Sequence, residues 1–555
     1  MKHLRMTLIA LALLTAGLVT RNSAQAQYPD TFAFVEVTDP LSGINPTYPL
    51  IPRPLPAVGD TFWDNRFNTM QVRATATNGI QGRHEYSRFD PFNSAKSMII
   101  LDPGGPWGVY RTQSYPYNQP SNLVRTVSLS EPRWDPADSS LIWGVQGFTI
   151  RTVNVVTGQE TVVKDFENDP VMGPVINTSP VYRITMKDEG ESSRDKRYWA
   201  FMLQGDGSAG YQPLYVFTYD RVLDTVPGVT ALAPEEQALD WVGMSQLGGH
   251  ALIGGLSYNG GRMAGLTMAD RSLTRFHRLD YTVAHADVGI DRSGGEVVVM
   301  QNTRTDYIDL IPIDTLTQPI LVSGGSYAGT NRTPLVRLFY SSGSPHGLQS
   351  GVHVSCNVPG YALISTTFGP GDPEQNWLDR SIILAKLDPQ DPRAFYLSKL
   401  YNTTDEYWEE THGTISNDGS VVVWADNWGQ NVGQEQMSLT QLFMPPEWQQ
   451  LTGAAGGPED AGGESGLQLF AYPNPCRGMV NITYALPRAA DVKLKMYNLA
   501  GQLVRTLKNG RCGSGRHLAV WDLKDDAGRR LAGGIYVFRL EAGSQNRAGR
   551  IMVLR

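Results

Sequence analysis

Long apolar runs are nearly absent from this 555-residue sequence. The longest lies between Met6 and Val19, shorter than the ~20 residues a bilayer crossing needs, so no transmembrane helix is expected. Cysteine is scarce too, with only Cys356, Cys476 and Cys512, which excludes a disulfide-framework protein. Charged residues make up 18% of the chain, its formal net charge is -7, and Lys and Arg form no stripe. Nucleic acid is therefore not an expected partner, because phosphate binding needs concentrated positive charge. Several catalytic signatures are missing as well: no G-x-S-x-G elbow, H-E-x-x-H helix or P-loop occurs.

What the chain does have begins at its front. Lys2, His3 and Arg5 precede the apolar run, and Ser23-Ala24-Gln25-Ala26 supplies a small-x-small cleavage site, so residues 1–26 read as a signal peptide and the mature chain as secreted or attached to the outer surface. Export places the cysteines where disulfides persist. Cys476 and Cys512 could then form a bridge, at most about 4 kcal/mol on the chain-entropy model, or remain two thiols. Cys356 reads as a small core residue.

The length exceeds what one core serves, so at least two domains are expected. Gly and Pro are plentiful, with 57 and 35 copies, and aromatics supply a tenth of the residues, a mixture that suits an all-β chain rich in turns. The run TGAAGGPEDAGGESG at 452–466 has almost nothing to bury and reads as a flexible linker. It divides a large region, 27–451, from a module at 467–555. In that module Val492-Lys493-Leu494-Lys495-Met496-Tyr497 and Ile535-Tyr536-Val537-Phe538-Arg539-Leu540 alternate apolar and polar, as half-buried strands of a sandwich do.

The large region repeats. A polar or aromatic residue leads a short strand, a turn of Pro, Asp, Asn or Gly follows, and an apolar strand closes the unit. Seven such units occur, opening near His84, Glu131, Asp195, Asp240, His285, His353 and His412, roughly 45 to 70 residues apart. Units too small for a core of their own match the blades of a ring. A seven-bladed β-propeller is expected, closed by pairing of the segment near Thr61–Thr75 with the last blade; an elongated sandwich array is the alternative.

Four units open on histidine: His84, His285, His353 and His412. The start of an inner strand lies near a propeller's axis, so these imidazoles could converge as a metal or substrate site. Alternatively each satisfies a backbone group in its own blade. Tyr86, Trp134, Trp241, Tyr407 and Trp408 lie near blade starts, either as stacking faces for sugar rings or as wedges between blades. Glu409-Glu410 is a carboxylate pair, but strand neighbours face opposite sides and cannot jointly work one bond.

Two resemblances add to this reading. In the module, Tyr472-Pro473-Asn474-Pro475, Tyr497-Asn498-Leu499-Ala500-Gly501, Trp521-Asp522 with Asp525-Asp526-Ala527-Gly528, and Gly533-Gly534-Ile535-Tyr536 resemble the immunoglobulin-like C-terminal domain related to the flagellar hook-capping protein. They also resemble the type A sorting domain of the type IX secretion system, which implies the secretion machinery as a partner. In the large region, Gln349-Ser350-Gly351-Val352-His353-Val354-Ser355 together with His285 is similar to the site of the oligogalacturonate lyase propellers, where histidines and a glutamine from adjacent blades hold a divalent cation. The glutamine here is farther from its histidine, and Ser355 stands where that family has a second histidine. The resemblance implies His285, Gln349 and His353 as ligands of one divalent cation at the axis, and β-elimination on a polyuronate. His84, His285 and His412 would then be base or ligand candidates, and Arg83 or Arg88 would pair with the substrate carboxylate.

The expectation from sequence is a secreted or cell-surface propeller that binds glycan or protein ligands, with Tyr86, Trp134, Trp241 and Trp408 as binding candidates and a polysaccharide as one possible ligand. A metal-assisted polyuronate lyase is the alternative, and a structural surface protein a third class.

Overall fold

A computed structural model describes residues 28–553, except 30–31, 43–44, 65, 78–81, 102–105, 257–260, 303–304, 314–320, 324–325, 329–331, 340–350, 368–375, 404–408, 431–436, 455–467, 473–479, 487, 500, 514 and 544. The expected signal peptide and most of the expected linker lie outside these residues; Thr452–Ala454 belong to one helical turn. Chain contacts define two units, Met1–Pro446 and Glu447–Arg555.

The first unit is a β-propeller, with seven sheets of three to five strands among the described residues. Blade 1 comprises Met98–Leu101, Trp107–Arg111 and Leu123–Val127, with the segment 84–92 on its inner side. Blade 2 comprises Ser130–Trp134, Leu141–Gln146, Thr149–Asn154 and Glu160–Asp165. Blade 3 comprises Val181–Thr185, Tyr198–Gly205, Pro213–Asp220 and Thr225–Ala231. Blade 4 runs through Leu239–Met244, His250–Gly255, Gly265–Asp270 and Phe276–Asp280, and blade 5 through Ala286–Ile290, Glu296–Asn302, Tyr307–Pro312 and Thr333–Arg337. Blade 6 comprises Gly351–Ser355, Tyr361–Thr367, Ser381–Lys386 and Ala394–Lys399, with Val35–Val37 added outside. Blade 7 comprises Thr414–Ile415, Val421–Asp426 and Ser438–Phe443, completed by Met70–Arg73 and Thr61–Trp63.

Strand periodicity explains the ring. Along Tyr198–Gly205, Trp199, Phe201 and Leu203 face a core shared with Trp143 and Ile150 of blade 2. The intervening Ala200 and Met202 face Val242, Ala251 and Ile253 of blade 4. Each middle strand is thus apolar on both faces, because both are covered. The same sharing joins blades 4 and 5, 5 and 6, 7 and 1, and 1 and 2. Blades 6 and 7 meet through hydrogen bonds: Gln71 Nε2 donates to Ser398 Oγ at 2.9 Å, Thr69 Oγ1 to the Leu397 carbonyl at 2.6 Å, and Gly413 N to Ser365 Oγ at 2.9 Å.

Closure uses the expected N-terminal segment. Met70, Gln71, Val72 and Arg73 pair with Phe443, Leu442, Gln441 and Thr440, so the first strands of the propeller complete its last blade. This joins the two ends of the ring without an exposed inner edge.

The second unit is a small β-sandwich. One sheet holds Gln468–Tyr472, Val480–Leu486 and Gly515–Trp521; the other holds Leu503–Cys512, Ala490–Asn498, Gly534–Ala542 and Gln545–Val553 in that spatial order. Val492, Leu494, Met496, Phe538 and Leu540 meet Ile482, Tyr484 and Trp521 between the sheets, and Trp521 Nε1 donates to the Lys524 carbonyl at 3.0 Å. Cys512 is buried, its Sγ 3.7 Å from the Tyr484 hydroxyl. Its candidate partner Cys476 lies outside the described residues. Cys356 is fully buried in the core between blades 5 and 6.

Candidate functional site

The inner segments of blades 1, 5, 6 and 7 bring four histidines to one place. His285 immediately precedes the inner strand of blade 5, and His353 lies within that of blade 6. His412 stands two residues before that of blade 7, and His84 lies in the inner segment of blade 1. The His353 ring centroid is 4.6 Å from that of His285 and 4.2 Å from that of His412. His84 Nε2 donates to the His412 carbonyl at 2.6 Å. Tyr86 sits among them, 5.4 Å from His353 and 5.0 Å from His412 between centroids, with its hydroxyl 3.1 Å from His285 Nδ1.

Glu410 joins this group. Its Oε2 lies 2.5 Å from His353 Nε2, and ligand atoms of His353, Glu410 and His412 all fall within 4.8 Å of one another. Treating Glu409-Glu410 as strand neighbours missed this residue. The two lie in a loop, and they do not act as a pair: Glu409 is buried and its carbonyl accepts from Asn402.

The local backbone supports the cluster. His412 has φ +44, the left-handed region that a non-glycine residue enters only when its surroundings hold it there. A Cβ on the adjacent Gly413 would lie 2.7 Å from Ser365 Cβ, so glycine here lets blades 6 and 7 approach closely at the site.

Burial sets the protonation states. Desolvation lowers His84 to about 3 and His285 to about 3, and carries His412 well below the usual imidazole range; in all three, nearby cations or histidines act in the same direction. These imidazoles are neutral at pH 7, with a lone pair available on each ring. Two carboxyls near these histidines in the chain shift the other way. Burial raises Glu85 to about 8, against the pull of Arg133 at 2.6 Å, and raises Asp287 to about 7.

The donor set suits a first-row divalent ion. Imidazole nitrogen favours Zn, Fe or Ni, carboxylate favours Mn or Mg, and two histidines with one carboxylate combine the two preferences. Ligands bound at about 2.1 Å stand roughly 3 Å apart. The 2.5 Å contact between His353 and Glu410 is thus a hydrogen bond that metal entry would replace.

Other candidates have different surroundings. Arg88 is buried, paired with Glu189 at 2.8 Å and lying 4.4 Å over the Trp241 ring, so its charge is already matched rather than held out to a substrate. Trp241 and Trp134, read as binding faces, are 1% and 8% exposed. They serve as wedges, Trp241 between blades 4 and 5 and Trp134 between blades 1 and 2, where its Nε1 donates to the Pro91 carbonyl. Packing against a neighbouring sheet has used the ring faces that sugar stacking would need. Gln349, Tyr407 and Trp408 lie outside the described residues.

Comparison with known proteins matches residues 477–546 to the FlgD Ig-like domain. No curated protein matches the chain. Among solved structures, an oligogalacturonate lyase from Vibrio parahaemolyticus is 11% identical with a TM-score of 0.45, covering 70% of this chain and 97% of its own. An oligogalacturonate lyase in complex with manganese has a TM-score of 0.46 at 11% identity, covering 70% and 96%. PorZ of Porphyromonas gingivalis, a bacterial surface component of the type IX secretion system, has a TM-score of 0.33 at 12% identity, covering 91% of this chain and 61% of its own. Among the described residues no helix is long and apolar enough to cross a membrane.

Proposed function

We propose that this chain is an exported propeller, held at the cell surface, that uses a divalent cation on its axis to bind an oxygen-rich ligand such as a glycan. The observation that carries this reading is the convergence of His353, Glu410 and His412 from blades 6 and 7, with ligand atoms within 4.8 Å. The bound cation would supply Lewis acidity toward ligand hydroxyl or carboxylate oxygens. The protein's own part is to keep the His412 imidazole neutral, to hold Glu410 between the blades, and to limit solvent access: His84, His353 and His412 are at most 1% exposed.

One observation favours polyuronate β-elimination as a second reading. Neutral His84 and His285, with the Tyr86 hydroxyl 3.1 Å from His285, are groups able to accept a proton from carbon next to a carboxylate. Metal analysis of the purified mature protein, followed by incubation with a panel of polyuronates, separates the two. Binding predicts about one equivalent of divalent ion, retention of polysaccharide and no unsaturated product; ultraviolet-absorbing product would establish the lyase. Absence of any bound ion after incubation with Mn, Fe and Zn would defeat both.

The FlgD-like module is the proposed delivery element, read by the secretion machinery. Deleting residues 467–555 is expected to leave the propeller undelivered, as measured by protease accessibility on intact cells; normal surface display of the truncated chain would refute this role.

A further inference from the structure

The chain segregates its charge. Residues 467–555 hold fifteen of its 47 Lys and Arg but only five of its 54 Asp and Glu, so this stretch carries +10 while the rest carries −17. Such asymmetry points to an anionic partner for the basic part. The fold of the module shows where that charge gathers. In the four-stranded sheet, Val492, Leu494, Met496, Phe538 and Leu540 point into the core. Strand alternation therefore puts Lys493, Lys495, Tyr497, Val537, Arg539 and Glu541 on the outer face. Lys495 stands directly opposite Arg539, Lys493 opposite Glu541, and Val537 opposite Arg550. Arg539 lies 3.3 Å from Glu541. Like charges facing each other across a strand pair are destabilising, which marks Lys495 and Arg539 as positions that stability alone does not favour.

The same face ends in exposed apolar side chains. Leu503 stands opposite Tyr497 and therefore on the outer face; it is 48% exposed. Leu499, in the hairpin between these strands, is 70% exposed, the highest value for a large apolar side chain among the described residues. A soluble polyanion would use the cations and leave these leucines in water. A lipid surface uses both, with headgroup phosphates on the cations and leucines in the boundary beneath.

We propose that the outer face of this sheet docks the protein on an anionic lipid surface, with Lys493, Lys495, Arg539 and Arg550 over the headgroups and Leu499 and Leu503 entering the acyl boundary. The proposal rests on the surface-attachment reading for its setting, but vesicle binding is measurable without export and is independent of the axial cation. The test is flotation of the full mature chain with vesicles of phosphatidylcholine alone or with one-third phosphatidylglycerol. Binding is expected only to the anionic vesicles and should weaken as salt rises. The triple variant Lys493→Gln, Lys495→Gln, Arg539→Gln should bind about a hundred-fold more weakly, and Leu499→Asp should also lose most binding. Circular dichroism checks that each variant, altered only at surface positions, remains folded. Equal binding to neutral vesicles, or none to either kind, would overturn the proposal. So would a Leu499→Asp protein that binds normally, which would leave the basic face to a soluble polyanion.

Discussion

Replacing His353 with alanine is expected to lower divalent-cation affinity by at least about 100-fold, because outer-shell changes at metal sites already cost 10- to 100-fold and this change removes a donor. His353 is the centre of the cluster: it lies against His285, His412, Tyr86 and Glu410. Its loss therefore deprives the site of a nitrogen and frees Glu410 from the contact that aims it. Glu410→Gln is the more informative companion. The amide keeps the shape and can still hydrogen-bond to the imidazole, but it offers a neutral oxygen in place of a carboxylate. Affinity should fall by about 10- to 100-fold while the thermal midpoint in chelator stays near that of the parent. Isothermal titration with Mn and Zn measures both variants. Unchanged affinity in His353→Ala would remove the axial cluster as the metal site, and unchanged affinity in Glu410→Gln alone would restrict the ligands to histidines.

What could be read from the sequence divides along a physical line. The propeller was legible because each blade repeats the same local chemistry: a turn rich in Asp, Asn or Gly, then a strand such as Val297–Val299 or Val421–Val423, apolar on both faces because a neighbour covers each. Closure was legible too, since Thr61–Thr75 had strand character without a unit of its own and now pairs with Ser438–Phe443. The recurring histidines were visible because repetition converts sequence register into spatial register. Glu410 was not, because it sits in an irregular segment where strand alternation does not apply. Trp134 and Trp241 were ambiguous for a related reason: an aromatic residue at a blade start has the same sequence signature whether its ring faces a channel or a neighbouring sheet. Only the tertiary packing separates the two, and here it buries both rings.

Replacing Val72 with aspartate is expected to destabilise the propeller by about 4 kcal/mol, the order of cost for an uncompensated charge in a core. Val72 is fully buried in the strand that closes the ring and stands opposite Gln441. The effect should extend beyond this strand. Contacts between blades 6 and 7 lie near it, from Thr69 and Gln71 to Leu397 and Ser398 and from the Phe67 ring stacked on Tyr396, and the proposed metal site spans the same two blades, with His353 on one and Glu410 and His412 leading into the other. A loosened clasp lets those blades separate, so cation affinity should fall along with stability even though Val72 contributes no ligand atom. Val72→Ala, which removes methyl groups without adding charge, should cost about 1–2 kcal/mol and leave affinity nearly intact. Urea denaturation gives the stability change, and titration at a temperature where the variant remains folded gives the affinity. A folded Val72→Asp protein that binds metal like the parent would mean that the inner strands fix the site without help from ring closure. A parallel loss of both would make the N-terminal clasp a positioning element for the axial site.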